Sequence, residues 1–260
     1  GLGVAFVLYA TGELVFWRAL AYLAVFHFVR QQYGWVALYR GRCGEYDRVG
    51  HWLDAAAVYA ATLYPLAYWH AHLPRQFWWF LEGDFAVRLP VALVSALEPL
   101  YWLLLAIYAA RSLRAWLVRG RPNPGKDIVV VTTAVCWYVG IIVYDSDYAF
   151  TVTNVLIHGV PYLALVFLNA RRRGEATPGS PLARFFSAGV VPFLGALWVL
   201  AYLEELIWDR TVWGERSWLF GEAWDVGWLQ AALIPLLALP QIIHYVLDGF
   251  IWRRRSRVDG

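Results

Sequence analysis

Apolar residues run along this chain in long stretches separated by short segments rich in Gly, Pro and charge. A helix needs about 20 residues to cross a hydrocarbon layer. On that length the pattern predicts seven spans, at approximately 9–29, 51–73, 90–110, 127–145, 150–170, 186–208 and 228–252. Tyr33-Gly34, RPNPG at 121–125 and TPGSP at 177–181 are the Gly/Pro clusters expected to stop helices between them. The segment QFWWFLEGDFAVR at 76–88 is too short and too charged to span and reads as interfacial. The opening GLGVAFVLYA reads either as a preceding helix cut short or as the start of the first span, because Gly12 and Glu13 interrupt the run. With no Met and no basic n-region at its start, the chain is expected to be trimmed, processed or incomplete there. The expected fold class is an all-α polytopic transmembrane bundle, with residues 1–260 forming a single integral membrane domain.

Composition agrees with lipid as the solvent. Of the 260 residues, 60% are hydrophobic and only 16% are charged, against about 25% in soluble domains. A water-soluble globule is excluded on that balance. Sixteen Trp and sixteen Tyr suit the two interfacial belts of a membrane protein. The net charge of +3 comes from Arg with a single Lys, Lys126, and no basic patch interleaved with aromatics points to nucleic acid. Basic residues instead report orientation. Segments 30–50, 111–126, 171–184 and 253–257 hold 4, 5, 4 and 4, while 74–89, 146–149 and 209–227 hold 2, 0 and 2. The excess places the C-terminus in the cytoplasm and, with seven spans, the N-terminus outside. Cys43 lies in a charged loop and Cys136 in an apolar run, so a disulfide between them is not expected. No internal repeat is evident, which tells against inverted-repeat transporters.

Ionisable groups inside spans cost roughly 2.5–3.5 kcal/mol on insertion scales, so each needs a partner, a water-filled cavity or a ligand. At 1.5 Å per residue, Glu98 and His158 lie about 12 Å below the outer ends of their spans, and His244 lies a few ångströms lower. These three are expected to share a midplane cavity. A second tier toward the cytoplasm holds His27, the i, i+3 pair His51 and Asp54, and the i, i+4 pair His244 and Asp248. Histidine with carboxylate is the ligand set of non-haem iron and zinc sites, and helix bundles assemble such sites from facing helices. The expected ligands are therefore His27, His158 and His244, with Glu98, Asp54 and Asp248 as further ligands or as acceptors that orient the imidazoles. Pro99, Pro161 and Pro240 flank the three midplane groups and predict irregular backbone beside each. Tyr101, Trp102, Tyr162 and Tyr245 are the expected lining for a hydrophobic or lipid-like substrate, with Trp252 in the same neighbourhood.

Plainer roles compete for many of these positions. His51 and Asp54 also read as interfacial residues at a helix start, and His70 and His72 as belt residues on different faces. Asp145 and Asp147 read as turn or capping residues, and Glu204 and Glu205 as solvated at the outer surface. Arg18 has three readings: a pair with Glu13, a pair with an acid of another helix, or a clamp for a ligand carboxylate.

Three stretches, FHFVRQQYGW (26–35), TVTNVLIHGVPY (151–162) and QIIHYVLDGFIW (241–252), resemble motifs of bacterial multi-pass membrane proteins. The resemblance covers about an eighth of the chain, brings no established chemistry, and implies the bacterial inner membrane as location. More loosely, histidines spread over several spans resemble the Brp/Blh type of membrane carotenoid-cleaving dioxygenase, which implies a histidine-held iron. The chain departs from that family in lacking its His-containing opening motif and a clear HxxxH. It also lacks the HxxHH box of membrane desaturases, since His70-Ala71-His72 has another spacing. The expected function is an intramembrane metalloprotein, a non-haem iron oxidoreductase acting on a hydrophobic substrate, with zinc or manganese as other metals. The competing readings are a non-enzymatic subunit of a larger membrane complex, a haem protein with two axial histidines, and a proton-coupled transporter.

Overall fold

The structure is a computed structural model that describes residues 2–78, 83–85, 88–118, 120–176 and 179–251. Every regular element among the described residues is helical. In chain order these are α1 (Leu2–Thr11), α2 (Glu13–Arg42), α3 (Arg48–Ala71), α4 (Val91–Leu117), α5 (Pro124–Trp137), α6 (Asp147–Asn154), α7 (Val160–Ala176), α8 (Pro181–Ser187), α9 (Val190–Trp208), α10 (Ser217–Phe220), α11 (Gln230–Leu237) and α12 (Leu239–Ile251). Wider π-helical turns extend α5 at Tyr138–Val143, join α6 to α7 at Val155–Gly159, and extend α9 at Asp209–Trp213. The opening apolar run is a helix of its own. It breaks from α2 at Gly12, whose φ of 145° is open to glycine and strained for other residues.

Five described helical stretches are long and apolar enough to cross a membrane: Val91–Leu117, Pro124–Val143, Asp147–Gly174, Val190–Trp213 and Gly227–Leu247. They correspond to the last five expected spans and mark the chain as a membrane protein. The first two expected spans, 9–29 and 51–73, fall on α2 and α3. These helices have 30 and 24 residues, yet they fall outside the set selected by length and composition together. Most of the segment expected at the interface, 76–88, lies in or beside residues outside the described set, as does the basic tail 253–257.

By its internal contacts the chain divides into two compact units, residues 1–16 with 160–242, and residues 17–159 with 243–260. In the second unit α3 packs on α4, α5 and the π turn at Tyr138–Val143. Its buried face is built of small residues, including Ala57, Val58, Ala61 and Thr62, which allow helix backbones to approach closely. Ala21, Val25 and Val29, spaced by four on α2, join Trp69, Phe85, Trp137, Ile141 and Phe150 in one apolar cluster. Nearer the end of α2, Val36 meets Ala57, Val58, Tyr108 and Val130 in a second cluster. In the other unit Phe167, Phe186 and Phe193 pack as a trio. There Asp209 receives the backbone N–H groups of Glu215 and Arg216, each at 3.1 Å, closing the turn that follows α9.

Candidate metal centre

Three histidines from three separate stretches meet within the unit formed by 17–159 and 243–260. His27 comes from α2, His158 from the π turn between α6 and α7, and His244 from α12. One ring nitrogen from each can be chosen so that all three lie within 4.8 Å of one another. His27 is fully buried, His158 nearly so, and His244 half-buried. The ring of His27 is central: its centroid lies 4.4 Å from that of His158 and 4.8 Å from that of His244, while the latter two are 6.2 Å apart. Tyr245 leans over His27 at 4.8 Å, and Phe28 stands edge-on to His158 at 4.8 Å. Tetrahedral coordination with metal–nitrogen bonds of about 2.1 Å sets ligand nitrogens about 3.4 Å apart, so nitrogens within 4.8 Å of one another would need to close by up to about 1.4 Å around an ion.

The local backbone explains how His158 is presented. Pro161 has no N–H to give to the carbonyl of Ile157, four residues earlier, and the helix widens into the π turn that carries His158. Gln32 Nε2 takes the place of that missing donor, bonding Ile157 O at 3.4 Å, and Gln32 Oε1 accepts from Thr133 Oγ1 at 3.1 Å. The amide of Gln32 thus ties α2, α5 and the π turn together one residue from the imidazole. A similar interruption separates α11 from α12 at Ala238, two residues before Pro240, whereas α4 runs unbroken through Pro99. The irregular backbone expected beside Pro161 and Pro240 is present, and that expected beside Pro99 is not.

Other expected members of the site are placed elsewhere. Glu98 is exposed on α4, where its Oε1 accepts from Trp102 Nε1 at 3.4 Å one turn on. Tyr101 is buried and stacks on Tyr64 at 4.5 Å, with Tyr138 at 6.3 Å. Trp102 is exposed and lies 5.5 Å from Tyr138. Depth along the helix axis was the ground for matching Glu98 to His158, but direction around the axis puts it on the exposed face of α4. Tyr162 is half-buried in the unit that contains 160–242. The side chain of Asp248 lies outside those described. Of the aromatic residues proposed as lining, Tyr245 lies against the cluster, with its ring 4.8 Å from that of His27 and 5.8 Å from that of His244.

Asp54 has different company. Its carboxylate is fully buried among Arg40, Arg111 at 2.6 Å and Lys126 at 3.2 Å, with Lys126 also reaching Glu45 at 2.5 Å. Asn123 Nδ2 donates to Glu45 Oε1 at 2.8 Å. Glu45, Arg111, Asn123 and Lys126 border a cavity of about 970 Å³ that is also lined by Tyr108 and Asp127. Asp47 is the third acid, 3.6 Å from Arg40 and 3.9 Å from Arg111, so three acids meet three bases and the cluster satisfies its own charges, as a buried ion network requires. Asp54 is therefore an ion-pair acceptor among α2, α4 and α5, and not a companion of the histidines. The cations that claim it come from distant stretches that its i, i+3 spacing from His51 does not reveal.

Several of the other titratable groups have local partners. His51 Nε2 is 3.4 Å from Tyr33 Oη. His70 lies between Tyr22 Oη at 2.9 Å and Leu66 O at 2.7 Å, and His72 bonds Tyr68 O at 2.8 Å. Arg18 donates to the carbonyl of Gly83 at 2.5 Å, a backbone partner in place of the acids considered for it. Asp147 accepts the backbone N–H of Trp78 at 2.8 Å. Asp145 pairs at 3.0 Å with Arg75, which also donates to the carbonyls of Ile141 and Tyr144 at the end of the π turn. Burial of that guanidinium lowers its pKa, with Asp145 and Tyr68 opposing the shift.

Two buried amides beside the histidines went unremarked in the sequence. Gln31, one turn after His27, is fully buried, and neither amide atom has a hydrogen-bond partner. Asn154, four residues before His158, donates to Phe150 O at 2.9 Å while its Oδ1 is unpartnered. The signal that would have found them is an amide four residues from a histidine inside an apolar span. Leaving such a group unsatisfied costs about 1–3 kcal/mol. A comparison with known protein families, curated proteins and solved structures returns no match.

Proposed function

We propose that this chain is an intramembrane metalloprotein in which His27, His158 and His244 hold one ion, and that the ion is a non-haem iron serving oxidation of a hydrophobic or lipid-like substrate. The observation that carries the reading is the meeting of three imidazoles from α2, the π turn and α12 within 4.8 Å. Three neutral nitrogen ligands suit iron or zinc and leave coordination positions free for oxygen or substrate. Phe28 and Tyr245 supply an apolar wall that keeps such chemistry from water. The arrangement favours an ion over haem, because the ring of His27 occupies the space that a macrocycle between His158 and His244 would need.

Seven spans with an outside N-terminus and a cytoplasmic C-terminus in a bacterial inner membrane are part of the same proposal. Helices α2 and α3 are longer than the roughly 30 Å hydrocarbon layer at 1.5 Å per residue. The polar groups that lower their hydropathy, including His27, Gln31, Gln32, Asp54 and Thr62, are buried within the protein and withheld from lipid.

Elemental analysis of the purified full chain tests the metal reading. About one equivalent of iron is expected after gentle purification in detergent, falling at least about tenfold in His158→Ala and His244→Ala. Protein that folds with well below one equivalent of iron, zinc or manganese, unchanged by either substitution, overturns it. A stoichiometric protein partner copurifying with such metal-free material would instead favour a structural subunit. One equivalent of zinc would keep the centre and replace the redox assignment.

A further inference from the structure

Gln31 is the buried polar side chain closest in sequence to the histidine cluster whose hydrogen-bonding capacity is wholly unused. Its exposure is 0%, and both Oε1 and Nε2 lack partners, while the adjacent Gln32 uses its oxygen and its nitrogen. Two geometric facts direct Gln31 toward the imidazoles. Side chains on an α-helix lean toward its N-terminus, so the amide at i+4 leans back toward the level of His27. The same turn of α2 abuts the turn that carries His158, because Gln32 bonds the carbonyl of Ile157.

We infer that Gln31 binds the non-protein ligand of the metal: its amide hydrogen-bonds the water or small anion that completes the coordination sphere of His27, His158 and His244. This inference rests on the metal reading of the three histidines. An amide suits the role because Oε1 accepts from a bound water and Nε2 donates to a bound anion, so one side chain serves either ligand without adding charge. A carboxylate at the same place would only accept, and would repel an anion. Gln32 is the contrast within one dipeptide: its amide is consumed in fixing the backbone, whereas that of Gln31 is left for the ligand.

Cobalt(II) substitution with azide as the anion separates this role from a structural one. The full-length wild-type protein, loaded with cobalt in detergent, is titrated with azide and followed by its visible spectrum. Gln31→Leu, and Gln31→Met as an unbranched variant of similar volume, are expected to hold the same equivalent of cobalt as wild type. Their azide Kd is expected to rise about tenfold, the effect of one hydrogen bond to a charged group. Gln31→Glu is expected to weaken azide further through repulsion. A side chain that merely packs would alter cobalt occupancy and leave the azide Kd per bound cobalt unchanged. An azide Kd within about twofold of wild type in whichever apolar variant retains cobalt overturns the inference and leaves the metal reading standing. Loss of cobalt from both apolar variants also overturns it, since Gln31 would then be needed for the fold or for the ion itself. Wild-type protein that takes up no cobalt overturns both.

Discussion

Burial alone does not tell what a polar residue is for; its partners do. Asp54 and His27 are both fully buried, yet the carboxylate is surrounded by cations and the imidazole by other rings. Asp47, at the edge of the same ion network, shows how local bonding sets a charge. As the N-cap of α3 it accepts the Gly50 N–H at 2.7 Å. Burial raises its pKa, but that hydrogen bond and the guanidiniums of Arg111 and Arg40 outweigh burial and hold the carboxyl below its ordinary 3.8. A depressed carboxyl pKa stabilises the fold fully above pH 3.8, and that contribution is lost as pH falls through the folded-state value. Asp47→Ala is therefore expected to cost about 1 kcal/mol near neutral pH, chiefly through the lost cap. The difference between variant and wild type should narrow toward pH 3, about one unit below the ordinary carboxyl value. Thermal unfolding in detergent at both pH values checks this; a pH-independent difference would remove the charge from the explanation.

At the scale of elements, departures from the regular helix decide where chemistry-bearing residues face. Pro161 deprives one carbonyl of its helical donor, the helix widens, and His158 sits in the widened turn. The π turn at Tyr138–Val143 has a different requirement, close approach of backbones. A Cβ on Gly140 would lie 2.6 Å from Thr153 Oγ1 and 2.9 Å from Phe150 Cα, so α6 packs against bare glycine backbone. Replacing glycine by alanine within a helix ordinarily stabilises it by up to about 1 kcal/mol. Gly140→Ala is expected to reverse that sign and destabilise by about 1–3 kcal/mol, because a backbone atom cannot turn aside as a side chain can. Gly195→Ala on α9 is the control, since a Cβ there meets nothing within 4 Å. Comparing the two melting temperatures tests the packing; an unchanged or raised value for Gly140→Ala would show that α5 and α6 do not approach in this way.

For the molecule as a whole, orientation in the membrane is the property most directly open to experiment. Cys43 is an exposed free thiol in the basic stretch 30–50, expected on the cytoplasmic side, while Cys136 is partly buried in an apolar helix. A membrane-impermeant maleimide is expected to label Cys43 in inside-out vesicles and not in intact spheroplasts, and Cys43→Ser should abolish that signal. Labelling of Cys43 from the outer side would invert the assignment drawn from the basic loops. Helical class and membrane character were legible in the chain because they follow from run length and composition, quantities that add up residue by residue. The irregular turn before Pro161 was legible for a similar reason, being a local consequence of residue type, whereas the break at Gly12 was one of two readings of the opening run. Which carboxylates accompany the histidines was not legible. Depth accumulates along one axis at 1.5 Å per residue and placed Glu98 in a common layer with His158 and His244, yet Glu98 faces outward, away from the meeting of the three expected histidines. Rotation about each helix axis is set by packing between separate segments of the chain, such as Gln32 with Ile157 or Arg40 and Lys126 around Asp54. A one-dimensional pattern carries how far along a helix a residue lies; the neighbour it turns toward exists only once the helices are assembled.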